Sequence, residues 1–159
     1  MYSVTAILSI KRELTLETQT LSTTAHESKY LINPSYIEET GRSSAFLARD
    51  RRCPQCLAEL KKSKGASSTS FINHRKTIAK CCSKKDSYLK PEMPLMEVIF
   101  RILLSGPAKG MSHTGVFKIL SDKWANQKVP KNLSNELVRQ IANSSGGYGV
   151  QTIDNETQA

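Results

Sequence analysis

The chain has 159 residues and a formal net charge of +9, with 38% hydrophobic and 6% aromatic side chains. That is one ordinary domain or two very small ones, too lean in apolar residues for one large core. Its most apolar run, Val98 to Leu104, is far shorter than the ~20 residues a bilayer-spanning helix needs. Met1 to Ile10 sets an apolar patch ahead of Lys11-Arg12-Glu13, the reverse of the order in a secretory signal. A cytoplasmic location without membrane contact is expected, and in that reducing setting closely spaced cysteines bind metal more often than they cross-link.

Residues 1–29 are weakly patterned: Tyr2 to Ile10 can form a strand, and the Ser/Thr-rich stretch after Glu17 reads as a poorly ordered arm. From Tyr30 the signals sharpen. Asn33 before Pro34 predicts a helix start, because the Asn oxygen accepts an end N–H and the proline has none to leave unpaired. Gly41 predicts its end, and Ser43 or Ser44 the opening of a second helix, with Tyr36-Ile37 and Phe46-Leu47 supplying apolar contacts. This helical hairpin leads into Arg51-Arg52-Cys53.

All four cysteines fall in one thirty-residue window: Cys53-Pro54-Gln55-Cys56, then Cys81-Cys82. Two thiols at C-x2-C spacing can curl around one ion, and zinc takes four such donors in a tetrahedron. An iron–sulfur cluster would accept the same four thiols, but Zn2+ is the simpler expectation. Cys53 and Cys56 are joined by one or both of Cys81 and Cys82, with His74 as the alternative fourth ligand. Adjacent residues on a strand point opposite ways, whereas in a turn both thiols could reach the ion. Lys61 to Ser70 (KKSKGASSTS) has the composition of a flexible loop, a tolerable spacer since closure entropy grows slowly with length.

Charge is concentrated on this same segment. Residues 49–90 hold twelve Lys and Arg against Asp50, Glu59 and Asp86, which accounts for the whole excess of +9. Such a block attracts polyphosphates, and part of it also offsets metal-bound thiolates.

After Pro91 and Pro94 a new unit begins. A helix running to about Leu104 is apolar nearly all round, with Glu97 and Arg101 expected outward at the favourable spacing of four. Ser105-Gly106-Pro107 stops it, and Ser112 caps a second helix carrying Val116, Phe117, Leu120 and Trp124, with His113 in its first turn. Ser134 opens a third helix to about Asn143, with Leu137, Val138 and Ile141 inward. Gly146-Gly147 turns the chain into a strand ending at Ile153.

The order of those elements over about residues 93–153 resembles a winged helix-turn-helix domain. The resemblance implies that the third helix reads the DNA major groove beside a strand wing. Asn135, Arg139 and Asn143, with Gln140 beside them, would then face base edges, Arg suiting guanine and Asn or Gln adenine. The departure from that family is electrostatic: residues 91–159 hold seven basic and six acidic side chains, little for a domain that must hold phosphates. The cysteine segment resembles a zinc ribbon or zinc knuckle, departing from it in having adjacent cysteines in place of a second C-x2-C.

The fold class expected is mainly α with small β (α+β). Residues 1–29 would be the arm, 30–90 the hairpin and zinc-ribbon-like knuckle, 91–153 the winged-helix-like domain, and 154–159 a tail. There is no nucleophile–base set and no phosphate-binding glycine loop, so no catalytic residue is assigned and no enzyme expected. The expected function is binding of nucleic acid, most readily DNA, by a transcription-related or accessory factor. Arg51, Arg52, Lys61, Lys62, Lys64, Arg75 and Lys76 would hold phosphates, and Asn135, Arg139, Gln140 and Asn143 would give sequence preference. The competing expectation is an interaction adaptor that docks a protein partner or a second copy of itself through the Glu97/Arg101 edge or the wing.

Overall fold

The computed structural model describes residues 27–65, 68–128 and 132–154. The strand expected at residues 2–10, the rest of the expected N-terminal arm up to residue 26 and most of the C-terminal tail lie outside these. The fold is mainly α with one small antiparallel sheet.

Strand β1 (Lys29–Ile32) leads into helix α1 (Pro34–Glu39). The Asn33 side chain accepts from the Ser35 and Tyr36 N–H groups at 3.0 and 3.3 Å. Helix α2 (Ser44–Arg49) starts where the Ser43 hydroxyl accepts from the Phe46 N–H. Two further helices follow in the cysteine segment, where the sequence suggested only a knuckle and a loop over Lys61 to Ser70. Helix α3 spans Pro54–Lys62, taking in the first residues of the expected flexible stretch, and α4 spans Phe71–Lys80 behind a Ser70 cap. The signal for α4 is present in the chain: Phe71, His74 and Ile78 recur at helical spacing after a capping serine, and all three are buried.

Two short 3-10 turns (Cys82–Lys84 and Asp86–Tyr88) lead to helix α5 (Leu95–Ser105), with Pro94 as its N-cap. Six of its residues are buried: Val98, Ile99, Phe100, Ile102, Leu103 and Leu104. Helix α5 packs against α4, α6, α7 and β1, as an all-round apolar helix must. Strand β2 (Met111–Ser112) precedes α6 (His113–Trp124), capped by the Ser112 hydroxyl on the Gly115 N–H. Helix α7 (Asn135–Asn143) is capped by Ser134. Strand β3 (Val150–Ile153) closes the fold.

The sheet order is β2-β1-β3, both pairings antiparallel, with Tyr30 opposite Met111 on one side and Thr152 on the other. Residues 29–32, ahead of the cysteine segment, therefore form the central strand of the C-terminal unit's sheet. Ser28 at one end of the β1–β3 ladder donates to Asp154 at 3.0 Å. Two glycines make this possible. Gly149 has φ +72, and a Cβ there would run into the Ile37 side chain and the Asn33 carbonyl; at Gly110, φ +86, a Cβ would sit 2.8 Å from the Tyr30 carbonyl oxygen. A single hydrophobic cluster runs from Tyr30 through Cys56, Ile78 and α5 to Val150, crossing the boundary the sequence suggested at residues 90 and 91.

Glu97 and Arg101 do not face outward as helical spacing suggested. Glu97 receives Arg51 at 2.8 Å and Arg101 at 2.7 Å, with only 13% of its side chain exposed. Arg51, just beyond α2, reaches this face of α5, also donates to the Leu47 carbonyl, and lies over the Phe100 ring. The apolar stripe of α5 is wide enough that even its charged residues are covered.

Candidate metal centre and basic surface

The cysteines meet where α3 begins and α4 ends. Cys53 is the N-cap of α3 and Pro54 its first helical residue, so Cys56 occupies the third position and both thiols hang from the first turn. Cys81 is the C-cap of α4, and its backbone (φ −123, ψ −62) breaks the helix so that Cys82 starts a 3-10 turn. This break resolves the question of adjacent cysteines, because in a turn both can face the same way. All four Sγ atoms lie within 4.8 Å of one another, and all four are free thiols.

Tetrahedral zinc with thiolate bonds of about 2.3 Å separates its sulfurs by about 3.8 Å, a contraction the cluster can make by side-chain rotation. The donor set fits a metal ion. Its surroundings fit as well: the Cys53 backbone N–H donates to Cys82 Sγ at 3.2 Å, and the N-terminal end of α3 points its partial positive charge at the thiols. Burial pushes the Cys53 thiol up, but the Cys56 backbone N–H and the thiols of Cys56, Cys82 and Cys81 outweigh it, bringing it from 9.0 down to about 7. Burial raises Cys56 and Cys82, with the neighbouring thiols adding to the effect on Cys56. One thiol of the group is thus poised to lose its proton first, and a cation entering the cluster would displace the rest.

His74, the alternative fourth ligand, is not one of the converging donors. It is buried on α4, one turn past the start of the helix. Burial lowers its pKa, with Arg52 and Arg49 nearby adding to the shift and the Thr69 backbone opposing it.

The basic residues divide into two groups. Lys61, Lys62, Lys64 and Lys76 are exposed on α3, just after it, and on α4. Arg51 and Arg75 are not available to an external phosphate, which corrects the expectation from sequence. Arg51 is held by Glu97. Arg75 donates to the carbonyls of Leu103, Leu104 and Gly106 at 2.8 to 3.3 Å, satisfying the acceptors left open where α5 ends. Arg52 is half-buried and donates to Thr77 Oγ1 at 3.0 Å.

Three lysines outside the expected set line the cysteine corner. A groove of about 590 Å³ is walled by Lys80, Lys84 and Lys85 with Glu59, and Cys56 and Cys81 form part of its lining. Their only sequence signal was the basic run around the second cysteine pair.

On α7 the side chains expected to read bases are engaged within the protein. Arg139 makes two hydrogen bonds to Glu136 at 2.6 and 2.8 Å, and Gln140 donates to the same carboxylate. Asn143 accepts from the Tyr30 hydroxyl at 2.9 Å, and Asn135 donates to Thr114 at 3.4 Å. Glu136, four residues before Gln140 and three before Arg139, draws both side chains onto the helix surface. No helix among the described residues is long and apolar enough to cross a membrane. No family model matches the chain, and no curated protein or solved structure proved similar to it, so what this corner does has to be inferred from its own residues.

Proposed function

We propose that the protein is a non-catalytic nucleic-acid-binding protein whose basic α3–α4 corner is stapled by one structural Zn2+. The observation that carries this reading is the convergence of four thiols from two segments within the most basic stretch of the sequence, residues 49–90. Zinc held by four thiolates has no open position for a substrate or water, so its work is structural. A tetrathiolate zinc carries a charge of about −2, which Lys80, Lys84 and Lys85 lie close enough to offset. Lys61, Lys62, Lys64 and Lys76 remain to meet phosphate. The order α5, β2, α6, α7, β3 supports the likeness to a winged helix, with the difference that β1 supplies the middle strand. In this reading the phosphate contacts come from the cysteine corner and not from α7.

Binding should fall steeply with salt, because each phosphate neutralised releases a counterion. In fluorescence anisotropy titrations across a potassium chloride series, the triple variant K61Q/K62Q/K76Q should bind all sequences more weakly. Its log–log salt slope should be shallower by about 2 to 3. Wild-type binding indifferent to salt, or absent at about 50 mM salt, would overturn the reading. Metal analysis of the purified protein should return one zinc per chain.

The adaptor reading loses the Glu97/Arg101 edge, which is covered, but keeps the outer edge of β3, which pairs with no other strand among the described residues. A stable dimer by light scattering, with no shift on adding nucleic acid, would favour it.

A further inference from the structure

We infer that the nucleic acid bound is single-stranded, with Phe46 as a stacking platform for a base and Arg49 and Lys61 receiving the adjoining phosphate; this rests on the reading above. Phe46 lies in the first turn of α2 with 52% of its surface exposed, in a protein whose other large aromatic side chains are mostly inside. An exposed phenylalanine contributes nothing to the core, yet this one is not idle: the Arg49 guanidinium lies over its ring, 4.6 Å from the centroid. Arg49 also lines a concavity of about 280 Å³ with Leu57, Leu60 and Lys61, Asp50 being its one acid. An aromatic face, a stacked guanidinium and a hollow lined by Lys61 and two leucines are thus contiguous through Arg49. A base offers a π-face to Phe46, and its 5′ or 3′ phosphate an anion to Arg49 and Lys61.

A duplex cannot use this arrangement, because its bases are already stacked and paired. The α7 side chains that would suit a duplex are tied to Glu136, Tyr30 and Thr114. The exposed lysines Lys61, Lys62, Lys64 and Lys76 lie instead on α3, just after it, and on α4. An apolar protein segment would also cover Phe46, but the guanidinium on its ring and the lysine that shares Arg49's hollow favour a polyanion.

The test uses the full zinc-loaded chain, fluorescein-labelled oligothymidine of about fifteen nucleotides, and a duplex of equal length. The single strand should bind at least tenfold more tightly than the duplex at equal salt, by order of magnitude of one stacked base. F46A should lose about tenfold on the single strand with its salt slope unchanged, while F46W should restore it. Trp124 is buried, so the added indole of F46W gives the responsive emission, which should be quenched on binding. Duplex bound as tightly as single strand, or F46A indistinguishable from wild type, would overturn the inference and leave the nucleic-acid reading standing. No binding to either would overturn both. Capture of an apolar peptide by F46W with quenching, and none by oligothymidine, would assign the platform to protein instead.

Discussion

Helices α3 and α5 are of similar length and are held in opposite ways. Helix α5 buries six of its eleven residues and touches most of the fold. Helix α3 buries one of nine, and that one is Cys56; none of the extensive contacts between elements involves it. What docks α3 is its first turn, where Cys53 and Cys56 face Cys81 and Cys82. Apolar area fixes one helix, whereas the other meets the rest of the fold chiefly at its thiols. A metal can therefore govern the basic surface without governing the core.

The largest effect should come from removing the proposed metal. Chelation, or C53S/C56S, should free the amides of α3 to exchange with deuterium within seconds while those of α5 stay protected. In small domains built around zinc the binding energy is the folding energy, but here it should be local to one corner. Equal loss of protection in both helices would erase the contrast. From the other side, Phe100→Ala removes a fully buried ring from α5 and should cost about 3–5 kcal/mol in urea titrations. Its midpoint shift should be the same with and without chelator.

Glu97→Gln should be next, at about 2 kcal/mol at neutral pH, since it leaves two half-buried guanidinium groups with a weaker partner. Burial pushes the Glu97 carboxyl up, but the hydrogen bonds and charges of Arg51 and Arg101 outweigh it and hold it below 4.5. A depressed carboxyl contributes stability that is present above its unfolded value of 4.5 and lost as pH falls through the folded one. The gap between wild type and variant should therefore close in acid below pH 4.5. Smallest is Ser112→Ala, which deletes the hydroxyl accepting from the Gly115 N–H at 3.2 Å and should cost about 1 kcal/mol. It should lower the thermal midpoint without altering metal content.

The same contrast decides what could be read in the chain. Four capped helices were read from the chain: Asn33-Pro34, Ser43, Ser112 and Ser134 all stand at the starts they signal; α4 was passed over although Ser70 caps it and Phe71 and Ile78 line its buried face. The four cysteines and their convergence were legible too, because thiols in such spacing have few other uses. Helix α3 was not, since a helix with one buried residue has almost no periodicity to detect. Strand β1 was missed because four residues between an unpatterned arm and a helix cap signal nothing until their partners, some eighty and a hundred and twenty positions on, are in place. The fates of Arg51, Arg75 and Arg139 were equally closed to inspection. A guanidinium reads as surface charge in a sequence, whereas its partner here is a distant carboxylate, a helix end or a neighbour one turn away.

Because Lys29 pairs with Ile153 and Ile32 with Val150, the segments entering at Ser28 and leaving at Asp154 depart from the same end of one ladder. Tension applied through those two segments would load the rungs singly, beginning at the Ser28–Asp154 contact, as a zip opens from its tab. Peeling β1 away takes the middle out of the sheet, so the fold should yield at low force by losing its strands before its helices. Tension drawn instead between residues 64 and 109 would bypass that ladder.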